Sequence, residues 1–296
     1  GHEVAALFTQ PDRAGRGHHH HPHPLKDEAL ARATPVFQPE NVNSPDSLAD
    51  LRRLGADVFV VAAYGQILSA ELLATPRWGA INLHASLLPK YRGAAPVQYA
   101  IWKGEAETGV TIFRIEPKLD AGPILAVART PIEPNETSGD LETRLAALAA
   151  PLLAKTLAQI ASGATEELPQ DRSAVTKAPR LKKSDGLIDW SRSPAAIDCQ
   201  VRAMQPWPKP YSYLLTHGHE PLRLIVLEVE PVEWAPSVAP GTVVEATREW
   251  LVVQADHGAV ELVRVQPAGK RPMTAAEFLR GHAVRVGDRF DSTPRD

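Results

Sequence analysis

The sequence predicts an α/β domain built on a mostly parallel sheet, followed by an all-β barrel or sandwich. Three observations carry that reading. In the first half, short continuous apolar runs alternate with amphipathic helical patterns. Between residues 163 and 190 the chain turns polar, basic and aperiodic. Beyond that stretch come five strand-like runs punctuated by Gly, His, Pro or Asp turns.

The elements follow in order. VAALF (4–8), DVFVVAA (57–63) and AINLH (80–84) are runs suited to strands buried on both faces. Helical patterns occupy 25–33 and 45–54, the second opened by Ser44-Pro45. VTIFRI (110–115) and PILAVART (123–130) are further strands. A long helix over 138–162 carries Leu141, Leu145, Leu148, Leu152, Leu153 and Leu157 at helical spacing. After a helix over 194–204 and the rigid break QPWPKP come YSYLL, LRLIVLEVE, GTVVEAT, WLVVQA and AVELVRVQPA. There is no internal repeat. Gly1-His2-Glu3 runs straight into a strand. The expectation is that an N-terminal strand and helix of the sheet, roughly twenty residues on typical element lengths, are absent from this sequence.

A chain of 296 residues with 44% hydrophobic content can bury one large core or two ordinary ones. No run approaches the roughly 18 uninterrupted apolar residues of a membrane span, so none is expected. No signal-peptide pattern opens the chain. The single cysteine, Cys199, excludes an intramolecular disulfide and fits a reducing compartment. Its helical surroundings (AAIDCQVRAM) favour a buried small side chain over a nucleophile. A net charge of −3 does not advertise a nucleic-acid binder. Yet Arg172 to Lys209 holds eight Lys/Arg against three Asp. A solvated linker and a phosphate-facing stripe both accommodate that excess.

The chemistry-bearing stretch is INLHASLLPKYRG. Asn82 and His84 are two apart on a strand, so they point the same way, at the end where ligands bind in open α/β sheets. An amide donor beside an imidazole makes an oxyanion and proton-transfer pair. The bare Asn-x-His pattern equally describes a satisfied strand-end histidine. The Pro-braced turn that follows (Ser86, Leu87, Leu88, Pro89) suits a flat heterocycle. Lys90 and Arg92 either attract an anion or are solvated loop charges. Asp120, in EPKLDAGPIL, either charges His84 or accepts turn N–H bonds. Arg13 and Arg16 lie on a Gly-punctuated loop suited to phosphate. The run HHHHPHP (His18 to Pro24) reads as a solvated loop rather than a metal site, because consecutive residues cannot all face one ion. Lys270 and Arg271 stand on a Gly turn, with Arg280 on the helix that follows. They form a second phosphate-facing edge or plain surface charge.

FTQPDRAGRG, VVAAYGQIL, INLHASLLPKYRGAAPVQYAIWKGEAETGVTI, LDAGPIL, IDW, QPWP and VQPAGKRPMTAAEFL together resemble blocks of the methionyl-tRNA formyltransferase family, in family order and over nearly the whole chain. Asn-x-His, S-L-L-P and L-D-x-G are shared by the wider 10-formyltetrahydrofolate formyltransferases. The first-loop and QPAGK blocks are more specific to the tRNA enzymes. The resemblance implies a Rossmann-like catalytic domain over 1–165, a linker over 166–190 and an OB-type, tRNA-binding barrel over 191–296. It implies formyl transfer from 10-formyltetrahydrofolate, a donor substrate, to the α-amine of methionyl initiator tRNA, without a metal, by a cytoplasmic monomer with no membrane partner. Matched position by position, Asn82, His84 and Asp120 are the catalytic trio, and Ser86, Leu87, Leu88 and Pro89 the folate loop. Arg16 matches an arginine in the loop that enters the tRNA acceptor end, and Arg13, Lys182, Lys183, Lys270 and Arg271 are the further tRNA contacts expected from their charge. The chain departs from the family pattern at HHHHPHP, which replaces a lysine-containing stretch. Neutral histidines attract phosphate less than lysines at pH 7, so that part of the tRNA contact becomes pH-dependent.

Overall fold

The first apolar runs of the chain form short strands, and their partners fix where the catalytic candidates fall. The computed structural model describes residues 2–12, 24–235 and 238–293. The chain resolves into two compact units, each drawing on several stretches. One comprises Gly1–His84, Val110–Ala128 and Ala149–Ala174; the other comprises Ala85–Gly109, Arg129–Leu148 and Val175–Asp296.

In the first unit, β1 (Leu7–Phe8) pairs in parallel with β2 (Val36–Phe37) across α1 (Pro24–Ala31), and Phe8 stacks on Phe37 with centroids 4.7 Å apart. Helix α2 (Pro45–Leu54) starts where the sequence signals it. Ser44 Oγ accepts from Ser47 N, and Gly55 closes the helix at φ 61°. Its Leu48 and Leu51 pack with Val42 and Leu72. Then come β3 (Phe59–Val61), α3 (Ala70–Leu73) and β4 (Ala80–His84). The chain leaves for β5 (Arg92–Gly93) and α4 (Pro96–Trp102), which belong to the second unit, and returns in β6 (Glu107–Arg114) and β7 (Ile124–Pro131). The strand order is β3-β4-β6-β7, and among the described residues no strand joins this sheet to β1–β2.

The sheet is mixed rather than mostly parallel. Strand β3 runs with β4, but β6 runs against it, with Ile81 opposite Arg114 and His84 opposite Thr111. Residues 115–123 are too short for a parallel crossover, which takes a dozen residues or more, so β6 and β7 cannot both run with β4. Ile81 and Ile112 are fully buried beneath Leu152, Leu153, Leu157 and Ile160 of α5 (Ser138–Ser162). Among the described residues α5 alone is long and apolar enough in composition to span a membrane. Its Leu141, Leu145 and Ile160 are buried within the protein.

In the second unit, β5 pairs in parallel with β8 (Lys177–Ala178). Gly93 is required there, because a Cβ would lie 2.4 Å from Ala178 O and its φ is +129°. The polar stretch 166–190 is not bare chain: Ala178, Leu181, Ile188 and Trp190 within it are buried. Helix α6 (Pro194–Ala203) precedes β9 (Tyr211–Leu215), β10 (Leu222–Val232), β11 (Val243–Ala246), β12 (Leu251–Ala255), β13 (Gly258–Pro267), β14 (Met273–Thr274), α7 (Ala275–Gly281) and β15 (Arg289–Asp291). The order β11-β12-β13-β10-β9-β15 is antiparallel at every named pairing. Val243 N donates to Asp288 O (2.8 Å) and Phe290 N to Gly241 O (2.7 Å), which brings the last strand back to β11. The sheet is therefore a nearly closed barrel, and a sandwich is excluded. Its interior holds Trp190, Val226, Leu262, Phe278 and Phe290. Trp190 Nε1 finds Ser212 Oγ at 3.0 Å, so the buried indole is satisfied.

Candidate active site

Strand β4 delivers the first two candidates. Its central place between β3 and β6 fixes the register, and alternation sends Asn82 and His84 to one face. Asn82 is half-buried, while His84 is only 5% exposed. The edge of Phe113 meets the His84 ring at 85°, with centroids 6.3 Å apart.

Asp120 comes from the turn between β6 and β7. Its Oδ2 lies 3.8 Å from His84 Nδ1, and both side chains are largely shielded, at 11% and 6% exposure. That separation is longer than a hydrogen bond but within ion-pair reach. Catalytic contacts are commonly looser before substrate binds. The turn has two unusual features. Asp120 sits at φ +46°, a left-handed conformation that non-glycine residues seldom adopt, Asp being among the more tolerant. Gly122 backs onto β6 so closely that a Cβ would lie 1.9 Å from Arg114 O. On the other side, Gln170 Nε2 donates to Asp120 O (2.9 Å) and Gly122 O (2.8 Å). Gln170 lies in the stretch that carries no periodic or motif signal, and nothing in the sequence marks it.

The Pro-braced loop begins one residue after His84 and belongs to the second unit. Ser86 is fully buried, and its hydroxyl donates to Lys90 O at 2.7 Å. Leu88 is buried, Leu87 and Pro89 are half-buried, and the Leu88–Pro89 peptide is cis. Lys90 Nζ pairs with Glu105 (3.0 Å), which also accepts from Tyr91 Oη (2.6 Å). Burial, then the hydrogen bond to Glu105, pushes the Tyr91 phenol well above its ordinary range. Lys90 is thus a paired charge in this loop. Arg92 is 9% exposed, which excludes the solvated-charge reading for it.

Lys182, Lys183, Lys270 and Arg271 are all exposed, and Arg271 is shared with Glu277 at 3.1 Å. Arg13, Arg16 and the histidine run lie outside the described residues. Among the described residues no group of three or more His, Cys, Asp or Glu is placed to hold a metal ion. Burial pushes the Cys199 thiol up, which makes it a poor nucleophile.

Comparison with known proteins places the chain among formyl transferases. Residues 1–157 match the family model described as formyl transferase, and residues 180–283 match that described as formyl transferase, C-terminal domain. The chain is 43% identical over 293 residues to a methionyl-tRNA formyltransferase of Symbiobacterium thermophilum, covering 98% of this chain and 88% of the relative. It is 44% identical over 291 residues to one of Solibacter usitatus, covering 98% and 91%. Among solved structures it resembles an N-formyltransferase of Helicobacter canadensis in complex with folinic acid and dTDP-3-aminofucose (TM-score 0.63, 18% identity, 88% of each chain). It also resembles HypX of Aquifex aeolicus in complex with tetrahydrofolic acid (TM-score 0.61, 18% identity, 93% of this chain and 46% of that one). At these identities the two structures attest the fold alone.

Proposed function

We propose a mechanism from one premise: this chain belongs to the methionyl-tRNA formyltransferase family. It transfers the formyl group of 10-formyltetrahydrofolate to the free α-amine of methionyl initiator tRNA. The observation that carries the reading is the convergence of three side chains: Asn82 and His84 on one face of β4, with the Asp120 carboxylate 3.8 Å behind the ring.

The amine nitrogen attacks the formyl carbon, and a tetrahedral oxyanion forms. Asn82 Nδ2 and the His84 imidazolium donate hydrogen bonds to it. Asp120 holds the ring and, by its negative charge, favours the protonated imidazole. The bond from the formyl carbon to folate N10 then breaks. One proton leaves the amine and one reaches N10 through the His84–Asp120 pair, so the exchange balances without solvent. Losing one oxyanion donor costs about 3–4 kcal/mol, or roughly 10²–10³ in rate. Leu87, Leu88 and Pro89 contact the folate, while Ser86, buried and turned to Lys90 O, shapes the loop that presents them.

Arg13, Arg16, Lys182, Lys183, Lys270 and Arg271 contact tRNA phosphates; the exposure of the last four supports this. On this reading the enzyme works in the cytoplasm as a monomer with no membrane partner. The donor chemistry needs no metal, since preorganised hydrogen-bond donors suffice for acyl transfer of this kind.

The test is a formylation assay with 10-formyltetrahydrofolate and charged initiator tRNA, run beside a sugar-nucleotide amine and glycinamide ribonucleotide as alternative acceptors. Product is expected only on the tRNA. Asn82→Ala and His84→Ala are each expected to lower turnover at least tenfold with little loss of folate affinity. Turnover within twofold of the parent removes that residue from the mechanism.

A further inference from the structure

Gln170 takes no part in the chemistry above, yet its side chain grips the turn that carries Asp120. The local ladder accounts for the side chain's place beside the turn. Ile124 and Leu168 form an antiparallel bridge, with Ile124 N donating to Leu168 O (2.8 Å) and Leu168 N to Ile124 O (2.9 Å). Continued toward the turn, that register sets Pro123 opposite Pro169 and Gly122 opposite Gln170. Pro123 and Pro169 thus form the non-hydrogen-bonded pair of an antiparallel ladder, which needs no N–H from either, and Pro123 O turns the other way to accept from Arg114 N. The carbonyls of Asp120 and Gly122 lie just beyond this pair, within reach of the Gln170 side chain. A primary amide carries two N–H groups and serves both at once, at 2.9 and 2.8 Å.

The opposite side of the turn is fixed as well. Arg114 N donates to Pro123 O (2.9 Å), and Gly122 is pressed against Arg114 O. Between these two grips Asp120 is held at φ +46°. A residue in that conformation persists only where its surroundings over-determine it. Release of the two carbonyls would let the backbone relax toward the ordinary regions and swing the carboxylate away from His84.

We infer that Gln170 is a positioning residue: its amide holds the left-handed backbone of Asp120 and thereby aims the carboxylate at His84. The inference rests on the reading of Asp120 as the partner of His84. The test uses the full chain under single-turnover conditions with enzyme in excess, so that slow variants remain measurable. Gln170→Ala is expected to lower the formyl-transfer rate about tenfold, with apparent affinities for folate and tRNA within twofold of the parent. Gln170→Glu keeps the side-chain volume but turns acceptors toward the two carbonyls, and is expected to lose as much. In an Asp120→Ala background there is no carboxylate left to aim, so adding Gln170→Ala should change the rate by less than twofold. Should Gln170→Ala not fold, Gln170→Asn, which draws the amide back by one methylene, takes its place in the same comparison.

Three results overturn the inference. One is a Gln170→Ala rate within twofold of the parent. Another is full activity in Gln170→Glu, which makes the residue a space-filler. The third is an equal loss in both backgrounds, which makes it a general prop of the fold. A parent-like rate in Asp120→Ala is a different failure, because it sinks the mechanism itself whatever Gln170 does.

Discussion

Gly122 shows how little freedom the site leaves to a single residue. Its α-carbon faces Arg114 O at a distance where no side chain fits, with a Cβ placed 1.9 Å away. Gly122→Ala must therefore shift either β6 or the Asp120 turn. Such overpacking costs about 1–3 kcal/mol, and the shift also moves the carboxylate. The expected outcome is a lower Tm by calorimetry together with a loss of turnover larger than the loss of folate affinity. An unchanged Tm would show that the turn absorbs the methyl group and is looser than its close approach to β6 implies. That Asn82 and His84 share a face is readable from two-residue spacing on a strand run, though their role is not. Asp120 is readable only as one of two alternatives, since a turn aspartate and a catalytic one share the same sequence signature. Gln170 is unreadable, because its role depends on its amide meeting the carbonyls of Asp120 and Gly122 across a gap of more than forty residues.

At the scale of elements, the segment leading into α5 carries a test of electrostatics. Arg144 Nε and Nη2 donate to the two Glu136 oxygens at 2.8 and 2.7 Å, and Arg144 Nη2 also reaches Pro131 O at 2.6 Å. These bonds from Arg144 hold the Glu136 carboxyl below its ordinary range, against the opposing effect of burial, with Glu133 N adding to them. A depressed folded-state pKa means that the stabilisation is present above the unfolded value, about 4.3, and is lost as pH falls through the folded one. Glu136→Gln is expected to lower the denaturant midpoint at neutral pH and to show a smaller further loss on acidification than the parent. Parallel pH curves for the two proteins would contradict this. Helix α5 itself is legible end to end from its leucine spacing, even through Pro151. The short helix α4 and strands β2, β5, β8 and β15 are not. Two- and three-residue strands have no periodicity to read, and they exist only because a partner strand passes alongside.

The whole molecule must meet a polyanion while carrying a net charge of −3. Exposed cations placed locally can do what the overall balance does not. Replacing Lys182, Lys183 and Lys270 together by Gln is expected to raise the KM for tRNA. Its salt dependence should flatten too, the logarithmic slope falling by about 0.7–0.9 for each phosphate that is no longer neutralised. The folate KM should not change. Salt slopes equal to the parent's would remove these lysines from the interface. The sequence alone determined the fold class and the order of the main elements, because continuous apolar runs and leucine spacing are local patterns, whereas the chemistry was legible only in the resemblance of whole blocks to the family. Tertiary structure decided the rest. It made the first-unit sheet mixed, since the β6–β7 turn is too short for a crossover. It closed the barrel through β15, whose three residues pair with β9 on one side while Phe290 N reaches Gly241 O on the other. It also brought Asp120 and Gln170 to one turn. Each of these depends on which backbone groups remain unpaired after distant segments meet, and no local pattern of side chains encodes that.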